Sequence, residues 1–227
     1  MKPRIAIDGP AGAGKSTVAR AVAKELGLAY LDTGAMYRAV TVAGLRRGID
    51  FEDEEVLAAL AAEIDLAVEY SDDGQNIIFL NGENVTETIR EPVVNRHVSL
   101  VARCPGVRAV MVEKQREIGR RGGVVMDGRD IGTNVMTEAE FKFYLTASLT
   151  ERARRRRAEL LAKGQTLTLE QMIEEIAARD KIDSEREVSP LRPADDAIII
   201  DSTEMTIDEV VSLIVATVTR GNAGGNT

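Results

Sequence analysis

Three observations in the amino-acid sequence predict an α/β fold built on a five-stranded parallel sheet flanked by helices. Short apolar runs at 4–8, 28–32, 124–127, 141–145 and 197–201 alternate with stretches of helical periodicity. That alternation suits a parallel sheet covered on both faces. The first run passes directly into Gly9-Pro10-Ala11-Gly12-Ala13-Gly14-Lys15-Ser16, a complete G-x-x-x-x-G-K-[ST] loop, and a helix opens near Lys15. One region, about 63–100, breaks the rhythm and reads as a small antiparallel β insert.

The individual elements follow from local chemistry. Val18, Ala19, Val22 and Leu26 line one face of a helix over 15–26, with Gly27 as its C-cap. A helix over 35–47 ends at Gly48, and acidic residues 52–55 suit the N-terminus of a helix over 52–64. Further helices are expected over 91–102, 105–120 and 148–163. Thr168 and Gln171 form a capping box that opens a helix to about 187, before Pro190 and Pro193. Thr206 and Glu209 form another at the start of the last helix, and 221–227 reads as a disordered tail. Within the insert, residues 66–70 and 76–80 flank a Ser71–Gly74 turn, with a third strand possible after Asn81-Gly82.

Composition excludes several classes. The 227 residues carry a formal net charge of −8, which argues against non-specific nucleic-acid binding. No run reaches the roughly 18 apolar residues of a membrane span. The start of the chain enters a core strand without the apolar segment of a secretion signal. Cys104 is the only cysteine, which fits a reducing, cytoplasmic setting and rules out an intrachain disulfide. With His97 the only histidine, a zinc site of the usual kind is excluded, and His97 is read as structural.

The chemistry-bearing residues begin with the glycine loop. Its backbone N–H groups can turn inward on a polyphosphate, and the helix N-terminus adds partial positive charge. Lys15 then reaches the β and γ phosphates, and Ser16 offers a hydroxyl to Mg²⁺. Val124-Val125-Met126-Asp127 has the form of a Walker B element, although an acid at a strand end is also common without any metal role. Arg129 and Asp130 follow at the carboxyl end of that strand, where open α/β sheets place their ligands. Thr33 and Arg38 hold the equivalent place after the second strand. Arg152, Arg154, Arg155, Arg156 and Arg157 form a dense run on a helix, read as a lid over the triphosphate, with two or three of the five simply solvated. Arg179, Asp183 and Arg186 share one face of the next helix, as ligand-binding groups, as an ion pair, or as both.

Together these segments are similar to the bacterial cytidylate kinases (CMP/dCMP kinases), a branch of the P-loop nucleoside monophosphate kinase family. The resemblance covers residues 3 to about 218. It rests on the glycine loop, Leu31-Asp32-Thr33-Gly34-Ala35-Met36-Tyr37-Arg38, Asp127-Gly128-Arg129-Asp130-Ile131-Gly132-Thr133, the arginine run from Glu151, and residues 179–186. It implies transfer of the γ-phosphoryl group of ATP to CMP, and to dCMP, with Mg²⁺ as cofactor. It also implies roles. Gly9 through Thr17 (Gly9, Pro10, Ala11, Gly12, Ala13, Gly14, Lys15, Ser16, Thr17) hold the donor phosphates, with Ser16 on the metal. Arg155 and Arg156 arrive from the lid and join Lys15 and Arg129 in catalysis. Arg38 and Arg129, helped by Thr33 and Arg186, hold the acceptor phosphate. Ser99, Arg108 and Asp130 address the cytosine ring, and Arg179 and Asp183 lie near the ribose.

The expected organisation is one kinase domain over 1–227. Its core is 1–31, 101–150 and 167–220, with monophosphate-binding helices at 32–62, the β insert at 63–100 and the lid at 151–166. The expected partners are small nucleotides, with neither nucleic acid nor membrane, and the expected state is a monomer. The rival readings are a kinase for another monophosphate or a small shikimate-like acceptor, and a nucleotide-switched binding protein. No N-K-x-D guanine-reading motif is present.

Overall fold

The computed structural model describes residues 2–71, 74–162, 164 and 166–224. Five parallel strands, β1 (Arg4–Asp8), β2 (Ala29–Asp32), β6 (Val124–Gly128), β7 (Phe141–Thr146) and β8 (Ile198–Asp201), form one sheet in the order β2-β6-β1-β7-β8. This is the predicted fold class. Alternation along the strands sends side chains to opposite faces. Ile5 and Ile7 pack with Val125, Phe143 and Ile200 against α1 (Lys15–Leu26) and α8 (Ile207–Gly224). Ala6, Val124 and Met126 face the other way, into a larger core with α2 (Thr33–Arg47), α3 (Glu54–Glu63), α4 (Pro92–Arg103) and α5 (Pro105–Arg120).

The insert is a three-stranded antiparallel sheet, β3 (Leu66–Tyr70), β4 (Asn76–Leu80) and β5 (Glu83–Asn84). The turn into β5 needs two left-handed residues, and Asn81 (φ 50°) and Gly82 (φ 79°) supply them. In the first turn, Asp72 and Asp73 lie outside the described residues. Leu66, Ile78, Leu80 and Val85 join the larger core. Asn76 fastens the insert to the edge strand β2: its Oδ1 accepts the Asp32 N–H at 2.7 Å and its Nδ2 donates to the Tyr30 carbonyl at 2.7 Å. An otherwise open sheet edge is thereby partly closed.

Both capping boxes form. Thr168 and Gln171 open α7 (Leu169–Glu185), and Thr206 and Glu209 exchange hydrogen bonds at the start of α8. Several boundaries differ from expectation, and three have consequences. The second helix begins at Thr33, because the Asp32 carboxylate caps it by accepting the Ala35 N–H at 3.0 Å. The seventh stops at Glu185, so Arg186 stands in extended backbone, and Ser189 turns the chain back with φ 53°. The last helix runs to Gly224, correcting the expectation of a disordered tail from residue 221. Gly221 is placed where a Cβ would fall 2.6 Å from the Phe141 ring, so a bare backbone lets the helix pass. Residues 225–227 lie outside the described residues.

No described helix is long and apolar enough to cross a membrane. His97 Nδ1 donates to the Val93 carbonyl at 2.8 Å and its ring lies 4.8 Å from Phe51, consistent with the structural reading.

Candidate active site

Parallel pairing brings the carboxyl ends of three strands together. Asp32 on β2 is level with Asp127 on β6, and Ile7, beside Asp8 on β1, pairs with Asp127 from the other side. The glycine loop leaves β1 at this point. Gly9 has φ 152°, and a Cβ there would sit 2.0 Å from the Leu145 carbonyl oxygen, so only glycine fits between β1 and β7. Gly14, left-handed at φ 86°, delivers the chain into α1.

Lys15 is buried, and its Nζ donates to the Pro10 carbonyl at 2.8 Å. Burial, and then the positive charge of Arg129, push its ammonium well below the ordinary lysine range. Ser16 Oγ donates to Asp127 Oδ2 at 2.9 Å, and the Tyr30 hydroxyl donates to Asp127 Oδ1 at 2.8 Å. Burial, together with the neighbouring Asp32 charge, holds the Asp127 carboxyl above its usual range. A buried carboxylate beside an exposed serine hydroxyl is a pair of hard oxygen donors, which suits Mg²⁺. Thr33 Oγ1 donates to the Asp127 carbonyl at 2.7 Å and so locks α2 to the end of β6. Asp8 accepts the N–H groups of Ile131 and Gly132, each at 2.8 Å. It thus fixes the start of a π-helical turn, Ile131–Val135, directly after Asp130.

Asp130 lies at the centre of the second cluster. Its Oδ2 takes an ion-pair hydrogen bond from Arg108 and another from Asn134 Nδ2 at 3.1 Å, while Oδ1 accepts from Arg186 at 3.2 Å. All three charged groups are buried. The Arg108 guanidinium lies 5.6 Å from the Tyr37 ring centroid, and its Nε has no partner among the described residues. Arg186 also donates to the Ser189 carbonyl at 2.7 Å. Ser99 is buried on α4, whose helix packs against α2, α5 and α7.

Between the two clusters lies a concentration of cations. Arg129 donates to Asp183 Oδ2 at 2.8 Å. The neighbouring guanidiniums of Arg129 and Arg179 hold the Asp183 carboxyl below its usual range despite its burial. Arg38 donates to Asn95 at 2.5 Å, and burial with the adjacent Arg179 charge lowers its guanidinium to about 9. Burial and Arg129 lower Arg179 to about 10, and its Nε is buried without a partner. Arg156 bears on both Arg38 and Arg179, while making its own pair with Glu159 at 2.8 Å. Buried guanidiniums gathered this closely can receive an anion.

The arginine run on α6 (Leu149–Leu161) divides by direction. Only Arg156 faces the cation cluster. Arg155 turns the other way, onto Glu151 and onto Ser202, whose carbonyl it meets at 2.5 Å. There it lines an open pocket of about 250 Å³ with Gly12, Thr17, Leu145, Ile207 and Val210, a mixed apolar and polar surface behind the glycine loop. Arg152 is buried against the loop itself, Arg157 donates to the Leu167 carbonyl at 2.8 Å, and Arg154 is exposed. Lys163, at the end of the expected lid, lies outside the described residues.

Several groups at the site escaped the sequence reading. Arg90 Nη2 meets Asp32 Oδ2 at 3.1 Å at the mouth of the cation cluster, 58 residues away in the chain. Tyr30, Asn134 and Asp180 carry no motif of their own. Asp180 lies within the 179–186 segment, where the sequence reading gave it no role of its own.

Comparison with known proteins shows the family of the chain. The profile of the cytidylate kinase family matches residues 5–220. The cytidylate kinase of Pelotomaculum thermopropionicum is 55% identical over 219 residues, 96% of this chain and 97% of that protein. That of Bacillus cereus is 53% identical over 214 residues (94% and 95%), and that of Caldanaerobacter subterraneus 51% over 221 (97% and 96%). Among solved structures, an uncharacterized protein from Eubacterium ventriosum superposes with a TM-score of 0.50 at 12% identity, over 97% of this chain and 99% of that one. At that identity the likeness concerns the fold alone. A family profile that matches residues 5–220, with relatives 51–55% identical over 94–97% of the chain, places it in the cytidylate kinase family.

Proposed function

We propose that the protein transfers the γ-phosphoryl group of ATP to CMP, and to dCMP, giving ADP and CDP or dCDP. The observation that carries this reading is Asp130, a buried carboxylate held by two buried guanidiniums, across a field of cations from the glycine loop. Cytosine donates from its amine at C4 and accepts at N3 and O2. A carboxylate accepts the amine, and Arg108 and Ser99 donate to the acceptors. Uracil reverses the polarity at C4 and N3, so its C4 carbonyl would face Asp130 where cytosine offers an amine donor. Leaving buried groups unpaired costs about 1–3 kcal/mol, about tenfold to hundredfold discrimination.

In this reading Gly9 through Thr17 hold the donor phosphates. Arg38 and Arg129 hold the acceptor phosphate, with Thr33 and Arg186 alongside. Arg179 and Asp183 face the ribose. The acceptor oxygen is already anionic at neutral pH, so no strong base is required. Catalysis consists of bringing two anions together and stabilising the charge that shifts between them. Lys15, Arg129 and Arg156 supply positive charge. Arg155, resting on Ser202, enters from the donor side of the pocket. Mg²⁺, held by Ser16 with Asp127 behind it, would screen the phosphate oxygens when bound. Residues 151–166 act as the lid that excludes water, the competing acceptor. The insert (63–100) and the helices of 32–62 form the acceptor side. In the same reading the enzyme acts as a monomer on small nucleotides, without nucleic acid or membrane, which a complete site within one chain supports.

Steady-state kinetics test the acceptor assignment. Arg38→Ala is expected to raise KM for CMP at least tenfold while KM for ATP stays within twofold. Arg129→Ala is expected to lower kcat as well, because it also stands beside Lys15. Unchanged kinetics in both variants would refute the assignment.

The depressed Lys15 ammonium gives a second expectation. Free Lys15 is substantially neutral on the alkaline side of neutrality, and bound phosphates favour its charged form, so binding of Mg·ADP at pH 8 takes up protons. The affinity therefore falls as pH rises from 7 to 9. Calorimetry in two buffers of different ionisation enthalpy measures the uptake. Lys15→Met is expected to remove it.

A further inference from the structure

The middle of the glycine loop is held by an ion pair between a buried Arg152 and a half-buried Asp180 that belongs to neither cluster. Asp180 Oδ1 on α7 accepts the Ala11 N–H at 3.0 Å. Arg152 Nη1 on α6 donates to the Ala11 carbonyl at 2.8 Å and to Asp180 Oδ2 at 2.5 Å, and its Nε donates to the Ala147 carbonyl at 3.0 Å. Two successive peptides, Pro10–Ala11 and Ala11–Gly12, are thus gripped from outside the loop. Lys15 Nζ meets the carbonyl of the first of them. One amide plane therefore has a carboxylate at its N–H end and the Lys15 ammonium at its oxygen end. The packing reinforces the grip. Ala11 shares an apolar cluster with Ala153, Leu160, Met172 and Ile176, and a Cβ on Gly12 would fall 2.9 Å from the Arg152 carbonyl oxygen.

We propose that Asp180 is a positioning residue for phosphoryl transfer: through the Pro10–Ala11 peptide it sets the shape of the donor-phosphate loop and the resting place of Lys15. The physical reason is that a glycine-rich loop is costly to order. A loop held in one shape before the nucleotide arrives does not lose that freedom on binding. A carboxylate on an amide N–H also makes the amide oxygen a better acceptor, so Asp180 strengthens the hydrogen bond that holds Lys15. Arg152 completes the arrangement by neutralising Asp180 and fixing the next carbonyl. Because Asp180 follows Arg179 in the same helix, the element that presents cations to the acceptor also braces the donor loop. This inference rests on the reading of the glycine loop as the donor site.

The test is calorimetric titration with Mg·ADP and, separately, with CMP, on the whole chain. Asp180→Ala is expected to weaken Mg·ADP at least tenfold and to leave CMP within twofold. Asp180→Asn keeps an acceptor for the Ala11 N–H and is expected to lose less than threefold. If thermal melting shows Asp180→Ala unfolded, Arg152→Met, which keeps an apolar stem at that position, is the decisive variant. It is expected to lose about fivefold for Mg·ADP alone. Mg·ADP affinity unchanged in the folded variant, or equal losses for Mg·ADP and CMP, would overturn the proposal, since equal losses mark general damage to α7. A wild-type protein that does not bind Mg·ADP would instead overturn the underlying assignment of the loop.

Discussion

Replacing Lys15 with alanine is expected to lower kcat by about a thousandfold or more, with KM for CMP little changed. Groups aimed at developing phosphoryl charge are worth about 10²–10⁵ in rate in comparable sites, and Lys15 has two features that place it at the upper end. It is buried, so its charge is screened by little water, and its neighbours Arg129 and Arg179 disfavour that charge until an anion arrives. The ammonium is therefore strained in the empty site and relieved by the phosphates, and only the part of that relief that grows as charge shifts in the transition state lowers the barrier. The stability effect is smaller. The Pro10 carbonyl loses its donor, a cost of about 1–3 kcal/mol if it stays unpaired, so the variant should melt cooperatively. Stopped-time assays of CDP formation, beside a thermal melt, separate the two effects. A kcat within tenfold of wild type would remove Lys15 from the chemistry.

Asp130→Ala is expected to have the largest effect on stability. Asp130 is the shared partner of Arg108 and Arg186, and all three are buried. Removing the carboxylate leaves two guanidiniums in a low-dielectric interior, where breaking one buried pair costs about 3–5 kcal/mol. Asn134 Nδ2 loses its side-chain acceptor too, while Asp8 still anchors the start of the π-helical turn. Denaturant unfolding should show a drop of that order, and at temperatures where the variant is still folded KM for CMP should rise more than tenfold. Asp130→Asn keeps the shape and one acceptor oxygen. It is expected to fold better than Asp130→Ala and still to discriminate less against UMP, which separates base reading from structural support. Full retention of both stability and CMP preference in Asp130→Ala would contradict the central place given to this carboxylate.

What the sequence made legible was local. Strand, glycine loop and helix run consecutively from Arg4 to Leu26, so their geometry follows from neighbouring residues alone. The same holds for the capping boxes at Thr168 and Thr206 and for the Asn81-Gly82 turn. The direction of a long side chain was not legible. Five arginines on one helix look equivalent in the sequence, yet Arg155 is drawn to Ser202, 47 residues on, and Arg152 to Asp180, 28 residues on. Arg186 appeared to share a helical face with Arg179. The helix ends one residue earlier, and the extended backbone that follows brings Arg186 to Asp130. Arg90 and Asp32 meet only because the insert folds back on the edge of the sheet. Motifs locate the groups that touch phosphate. The groups that hold those groups in place come from distant segments and carry no spacing that a pattern can find.

The account turns on one chain carrying a donor site and a cytosine-reading acceptor site within reach of each other. The most direct measurement is ADP release from Mg·ATP at fixed enzyme concentration, with CMP, dCMP, UMP and AMP each supplied as acceptor. CMP is expected to give kcat/KM at least tenfold above UMP and further above AMP, with little ADP formed when no acceptor is present. Equal rates for all four nucleotides, or ADP release indifferent to any of them, would contradict it.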